Sequence, residues 1–262
     1  MPARANDAMQ PIRFSEKLLS SIPITRIALW SGPRNISTAM MRSWDSRADT
    51  VVCDEPLYAH YLRVTGIQHP GRDEILAHHE DDWRRVAEWL TGPVPEGRNV
   101  FYQKHMAHHL LPMIDREWVH RLRNGFLIRD PGEMLASLIQ QWPDPSIADT
   151  GLPQQWELFQ ELKTRTGKAP PVLDARRVLL DPEAALRKLC VALDVPFDAA
   201  MLSWNVGPRD TDGVWARHWY GAVERSEGFI RYRPKDVTLP VSLGPLLKDC
   251  RHYYERLLEY AI

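Results

Sequence analysis

TRIALWSGPRNISTAMMRSW, residues 25–44, decides the fold, because an apolar strand runs into a short polar loop and then into a helix. Ile27, Ala28, Leu29 and Trp30 form a short continuous apolar run, the pattern of a strand covered on both faces in a parallel sheet. Ser31, Gly32 and Pro33 stop it, and Ala39, Met40, Ser43 and Trp44 resume at helical spacing. Asn35, Ser37 and Thr38 therefore fall at a first helical turn, whose N–H groups lack intrahelical partners and whose dipole end favours an anion. Arg34 adds a full positive charge, and the hydroxyls of Ser37 and Thr38 add two donors. The plainer alternative is an ordinary strand-to-helix turn in which Ser37 or Thr38 only caps the helix. The segment lacks GxxxxGK[ST], so the lysine and Mg²⁺-ligand pattern of a nucleoside triphosphatase is not met, and a phosphate here is expected to be held without metal.

Outward from this segment, strands are expected near residues 25–30, 49–53, 98–103, 124–129 and 171–175, with helical patterns between most of them. Such alternation predicts an α/β fold in three layers, a mostly parallel central sheet of about five strands flanked by helices. The clearest helices are Pro131 to Trp142, Asp181 to Leu193, and a terminal stripe from Leu243 to Ala261 that would dock on the domain or serve a homodimer. The 262 residues, 44% of them hydrophobic, suit a polar tail over residues 1–20 and one domain over 21–262. A net charge of −1 gives no basic field, so nucleic acid is not expected as a partner. Cys53, Cys190 and Cys250 form no CxxC pair and fit buried thiols in a reducing compartment. Residues 1–20 hold no apolar signal core, and no run approaches transmembrane length. A cytoplasmic protein without a membrane partner is the expectation. Residues 196–240 have no long period, yet Trp204, Trp215, Trp219, Phe229 and Tyr232 argue for order there.

GFLIRDPGEMLASL, residues 125–138, repeats the logic of the opening stretch: an apolar strand, Arg129 at its end, a turn at Asp130 and Pro131, then a helix bearing Ser137. Alone, Arg129 could simply pair with Asp130 or a nearby helix end. In a parallel sheet both loops leave the carboxyl ends of strands, where α/β folds bind ligands, and two anion sites there suit a ligand with two phosphate groups.

With these two segments the chain resembles the sulfotransferase superfamily, whose members use 3′-phosphoadenosine 5′-phosphosulfate (PAPS) on a P-loop-related fold. SGPRNISTAM is similar to that family's 5′-phosphosulfate loop, of the form PRSGST or PKSGTT, and RDPGEMLAS to its 3′-phosphate motif. The resemblance implies Arg34, Asn35, Ser37 and Thr38 at the 5′-phosphosulfate and Arg129 and Ser137 at the 3′-phosphate, gripping opposite ends of one cofactor that leaves as 3′,5′-adenosine bisphosphate. DEPLY at 54–58 and YQKHM at 102–106 resemble further family segments, and GPRDTDGVWARHW, 207–219, loosely matches a basic motif covering the nucleotide, which adds Arg209. Ile36 stands where glycine is common, so the cradle is expected to use negative φ angles or differ in geometry.

The implied activity is sulfuryl transfer to a hydroxyl or amine of a small-molecule acceptor, with no metal. The alternatives are an ATP-dependent small-molecule kinase and a non-catalytic nucleotide-binding protein. Arg34 would stabilise charge on the leaving phosphate. The acceptor's proton needs a base, for which Glu55 and His105 are the candidates, Glu55 slightly ahead because DEPLY is the closer match. His105, His108 and His109 form an HxxHH spacing that also raises a metal reading. Lys104 could meet the transferring group, although a strand-end lysine is more often solvated. Trp215 or Trp219 could stack on adenine, although large aromatics are more often core.

Overall fold

Side chains alternate across a strand, and in the first strand, β1 (Thr25–Ser31), both sets are apolar: Ile27 and Leu29 pack into one core cluster, Ala28 and Trp30 into another. That double burial places β1 at the centre of a five-stranded, wholly parallel sheet of order β2-β3-β1-β4-β5. Its other strands are β2 (Thr50–Asp54), β3 (Val100–Met106), β4 (Arg123–Ile128) and β5 (Val172–Asp174). The computed structural model describes residues 24–234 and 237–262, so the tail expected over 1–20 lies outside the described residues.

The helices close the sheet from both sides. Met40, Met41 and Trp44 of α1 (Ser37–Asp45) join Ile27, Leu29 and Tyr102 on one face. Val86 and Leu90 of α4 (Trp83–Thr91) and Phe159 of α6 (Leu152–Thr166) join Ala28, Trp30 and Phe126 on the other. Between α1 and α4 lie α2 (Tyr58–Thr65) and α3 (Arg72–His78). The expected helix at 131–142 is α5 (Pro131–Leu138), shorter than the apolar stripe because its last members continue as an irregular turn. Asp130 caps it by accepting from the Glu133 N–H at 3.1 Å, with Pro131 in the first turn. Beyond β5 come α7 (Ala175–Leu180), α8 (Pro182–Ala192), α9 (Ala216–Trp219) and α10 (Gly244–Leu258). The terminal stripe docks: Cys250 of α10 packs with Met134, Leu135 and Leu138 of α5. All three cysteines are free and buried. No helix among the described residues is long and apolar enough to cross a membrane.

Chain direction produces the site. The connection after β1 runs toward β2 on one side of the sheet, and the connection after β4 runs toward β5 on the other, so a crevice opens between the two strand ends. Gln155 of α6 seals its floor, its Nε2 donating to the carbonyls of Trp30 (2.9 Å) and Leu127 (3.1 Å). Gly32 lies against the 148–151 turn so closely that a Cβ there would run into the Thr150 carbonyl oxygen, and a Cβ on Gly151, itself at φ 70°, would stand 3.3 Å from the Gly32 Cα. Gly32→Ala is expected to cost roughly 1–3 kcal/mol, the usual range for overpacking. The check is urea denaturation followed by tryptophan fluorescence; an unchanged midpoint would mean that the 148–151 turn yields freely.

Candidate active site

The loop from β1 to α1 is held in unusual backbone geometry. Arg34 (φ 61°) and Ile36 (φ 60°) are both left-handed, as is Glu55 (φ 43°) after β2, and all three line one cavity. This corrects the expectation for Ile36, which does adopt the positive φ that glycine supplies elsewhere. Such residues cost of order 1–3 kcal/mol each and persist where surrounding contacts over-determine them. Here the contacts are the Asn35 Nδ2 bond to the Leu127 carbonyl (3.2 Å), the Arg129 Nη1 bond to the Arg34 carbonyl (2.7 Å) and the tight Gly32 packing. Asn35 is thus a buried anchor of the loop. No side chain caps α1, and the hydroxyls of Ser37 and Thr38 have no hydrogen-bond partner among the described residues, so the simple-cap alternative does not hold. The amino end of α1 opens into the cavity instead.

Arg34, Arg129 and Ser137 meet at the crevice. Arg34 Nε donates to Ser137 Oγ at 3.0 Å, and Arg129 pairs with Glu133 at 2.8 Å, whose other oxygen accepts from the Tyr232 hydroxyl at 2.7 Å. The two arginine-bearing loops therefore share one cavity, and they touch there. Burial and the neighbouring charge of Arg129 hold the Arg34 guanidinium below its usual value. Arg129 has Glu133 as its carboxylate, whereas Arg34 makes no ion pair among the described residues, so its half-buried positive charge is one that an anion would relieve. The cavity, of about 520 Å³, lies in the range of roughly 300–1,000 Å³ typical of ligand sites. These features fit a nucleotide with two anionic groups.

Strand β3 supplies the next wall by alternation. Tyr102, Lys104 and Met106 share one face, and Phe101, Gln103 and His105 the other. Lys104 is 1% exposed rather than solvated, and its Nζ donates to Asp54 Oδ1 (2.7 Å), Glu55 Oε1 (2.7 Å) and the Tyr220 hydroxyl (2.6 Å). Burial lowers its ammonium, but Asp54 and Glu55 outweigh that and hold it above the usual lysine value. Burial pushes the Glu55 carboxyl up, against the charge of Lys104. Tyr220 donates to Asp54 Oδ2 at 2.6 Å, and its oxygen accepts from Trp215 Nε1 at 3.1 Å.

His105 faces the opposite layer. It stacks on Trp30 with ring centroids 4.2 Å apart, stays neutral because burial depresses it to about 3, and does not line the cavity. Its candidacy as the base is corrected by the same alternation that turns Lys104 inward, and the HxxHH reading falls with it. Among the described residues no group of three or more His, Cys, Asp or Glu side chains is placed to hold a metal ion. Arg209 also lies outside the cavity, its guanidinium against the Asn205 carbonyl (2.7 Å) and Asp45 (3.7 Å). Asp212 pins that segment by a bidentate bond to buried Arg42 of α1, both contacts 2.6 Å. Trp215 is 1% exposed and packs as core, edge-on to Tyr58.

His109, which the sequence offered only as part of the HxxHH spacing, is 2% exposed and stacked between Tyr58 (4.6 Å) and Tyr61 (4.7 Å), and its Nδ1 lies 4.0 Å from Glu55 Oε2 without a hydrogen bond. Burial and the charges around it keep its imidazole well below the usual histidine value. Glu133 reaches the site from the segment already read as an anion motif, though the residue itself was not singled out, and Tyr220 and Tyr232 reach it from irregular chain. For Lys104 the alternation of β3 was the available pointer.

The chain is thus an α/β protein with a wholly parallel sheet, whose switch-point crevice brings two arginine-bearing loops onto one cavity. A family model described as the sulfotransferase domain matches residues 25–259, and the chain belongs to that family. It is 38% identical over 229 residues to branched-chain-amino-acid aminotransferase-like protein 1 of Arabidopsis thaliana and 36% identical over 233 residues to protein 2 of the same name. The matches cover 87% and 88% of this chain, which spans about two-fifths of each relative (40% and 41%). Among solved structures, the sulfotransferase domain from the curacin biosynthetic pathway shares the fold, with a TM-score of 0.51 at 15% identity over 92% of this chain and 100% of that one.

Proposed function

We propose that this domain transfers a sulfuryl group from PAPS to a small-molecule hydroxyl, with Glu55 as the base. The observation that carries the reading is the contact of Arg34 with Ser137 inside the cavity that also holds Glu55 and Lys104. When bound, PAPS supplies the activated sulfuryl group and departs as 3′,5′-adenosine bisphosphate. Arg129, Arg34 and Ser137 form the anion clamp, and the uncapped amino end of α1 with Ser37 and Thr38 offers further donors to negative charge. Lys104 holds Glu55 Oε1, and Oε2, 4.0 Å from His109 Nδ1, is the proton acceptor. Its raised carboxyl suits that task, since a base works best with a value near the operating pH.

The test is ligand-dependent stability. 3′,5′-Adenosine bisphosphate is expected to raise the melting temperature and ADP to do so much less, because stabilisation follows occupancy. Arg129→Ala is expected to weaken the bisphosphate by roughly 10–100-fold, matching the 1.5–3 kcal/mol typical of hydrogen bonds to charged groups. Equal shifts with ADP, or full affinity in the variant, would refute the donor assignment.

A further inference from the structure

Three carboxylates line the cavity, and two of them have cations: Glu55 pairs with Lys104 and Glu133 with Arg129. Asp149 is the exception. Its Oδ2 accepts from the backbone N–H (2.8 Å) and hydroxyl (2.7 Å) of Ser146, and it has no ion pair among the described residues. The side chains around it are aromatic. His69 meets Trp142 edge-on at 4.9 Å, Tyr61 meets His108 edge-on at 5.3 Å, and the Tyr58 hydroxyl and His69 Nδ1 share a hydrogen bond of 2.8 Å. Neither imidazole neutralises the carboxylate. Burial lowers His69, and it takes His108 to about 4 even though Asp149 pulls both the other way.

The cavity is therefore polarised, with Arg34 and Arg129 at the crevice between β1 and β4 and an unneutralised carboxylate among aromatic rings elsewhere on its wall. The buried His109, with its unbonded Nδ1, adjoins His108 at a ring-centroid distance of 4.4 Å and Glu55 at 4.0 Å. The histidine pair thus connects the base to the Asp149 corner. A cation between a carboxylate and aromatic faces gains from both, and it gains most where water is excluded. A neutral polyol would find hydrogen-bond partners here but would leave the charge of Asp149 unmatched.

We infer that the acceptor is an alcohol carrying a protonated or quaternary amine, its hydroxyl at Glu55 and its cationic group in the corner formed by Asp149, Trp142, Tyr61 and His69. This deepens the sulfotransferase reading and rests on it for the role of the hydroxyl. The probe pair is choline and 3,3-dimethylbutan-1-ol, which have nearly the same shape and differ by the charge of one atom. Each is titrated by calorimetry into the protein saturated with 3′,5′-adenosine bisphosphate. Choline is expected to bind at least tenfold more tightly than the neutral alcohol. Asp149→Asn, which keeps an oxygen for the Ser146 bonds, should erase that difference without weakening the neutral alcohol. Trp142→Leu, which leaves the carboxylate in place, should lower choline affinity severalfold and serves if the asparagine variant does not fold. Equal or tighter binding of the neutral alcohol, a preference that survives Asp149→Asn, or no binding of either compound would overturn the inference. Failure of the donor reading looks different: the bisphosphate itself would not bind, whatever the two alcohols do.

Discussion

Glu55→Gln is expected to lower kcat by about 10²–10⁴, the usual contribution of a positioned general base, while the affinity for 3′,5′-adenosine bisphosphate stays within about twofold. The split follows from where the atoms lie. Glu55 belongs to the loop after β2 and bonds Lys104, whereas Arg34 and Arg129 belong to the loops after β1 and β4. Glutamine keeps an oxygen for Lys104 but cannot take a proton. The pH profile supplies a second readout. Because burial raises the Glu55 carboxyl, the active, deprotonated form is lost as pH falls through a value above the ordinary carboxylate range, so the acidic limb of kcat/KM should lie correspondingly high. In the glutamine variant that limb should vanish from the residual activity. A variant with wild-type kcat, or one retaining the limb, would place the base elsewhere.

Much of this arrangement was legible before any coordinates, and the parts that were not share a physical cause. The five strands announced themselves because each is a short apolar run bounded by turn residues, and strands alternating with helical stripes leave few topologies. The two arginine-bearing loops were legible for the same reason, each being a strand followed within three residues by an arginine and then by a helix. Pairing was harder to read. Lys104 looked like a surface charge because nothing in YQKHM reveals that Asp54 and Tyr220 arrive beside it from 50 and 116 residues away. His105 and Lys104 are adjacent in sequence, so only the two-residue period of β3 separates the cavity side from the Trp30 side. Ile36 was misjudged because local preference argues against positive φ, while the strain is held by Asn35, Arg129 and Gly32 together. Asp149 carried no signal at all, since a half-buried aspartate in a turn reads as a simple cap until Trp142 and His69 are seen beside it.

Lys104→Met tests the other side of the same network and should be the most destabilising single change. Lys104 is the one cation among the described residues bonded to both Asp54 and Glu55, and all three side chains lie in a nearly sealed layer, 1%, 1% and 12% exposed respectively. Methionine fills much of the space but leaves two carboxylates with no counter-charge, and breaking a buried pair by removing one partner costs roughly 3–5 kcal/mol. The cost must depend on pH. A carboxyl held above its unfolded value favours the folded state while protonated, and that support is lost as pH rises through the folded value. Glu55 is already raised with Lys104 present, and removing the ammonium takes away the group that opposes the rise. The deficit relative to the native chain should therefore be small near pH 4 and reach its full size around neutrality, as read by urea denaturation at a series of pH values. Asp54→Asn introduced alongside Lys104→Met removes one stranded charge and should recover part of the loss. A deficit that is the same at pH 4 and pH 7.5, or a double variant no more stable than the single one, would mean that Lys104 contributes by packing rather than by charge.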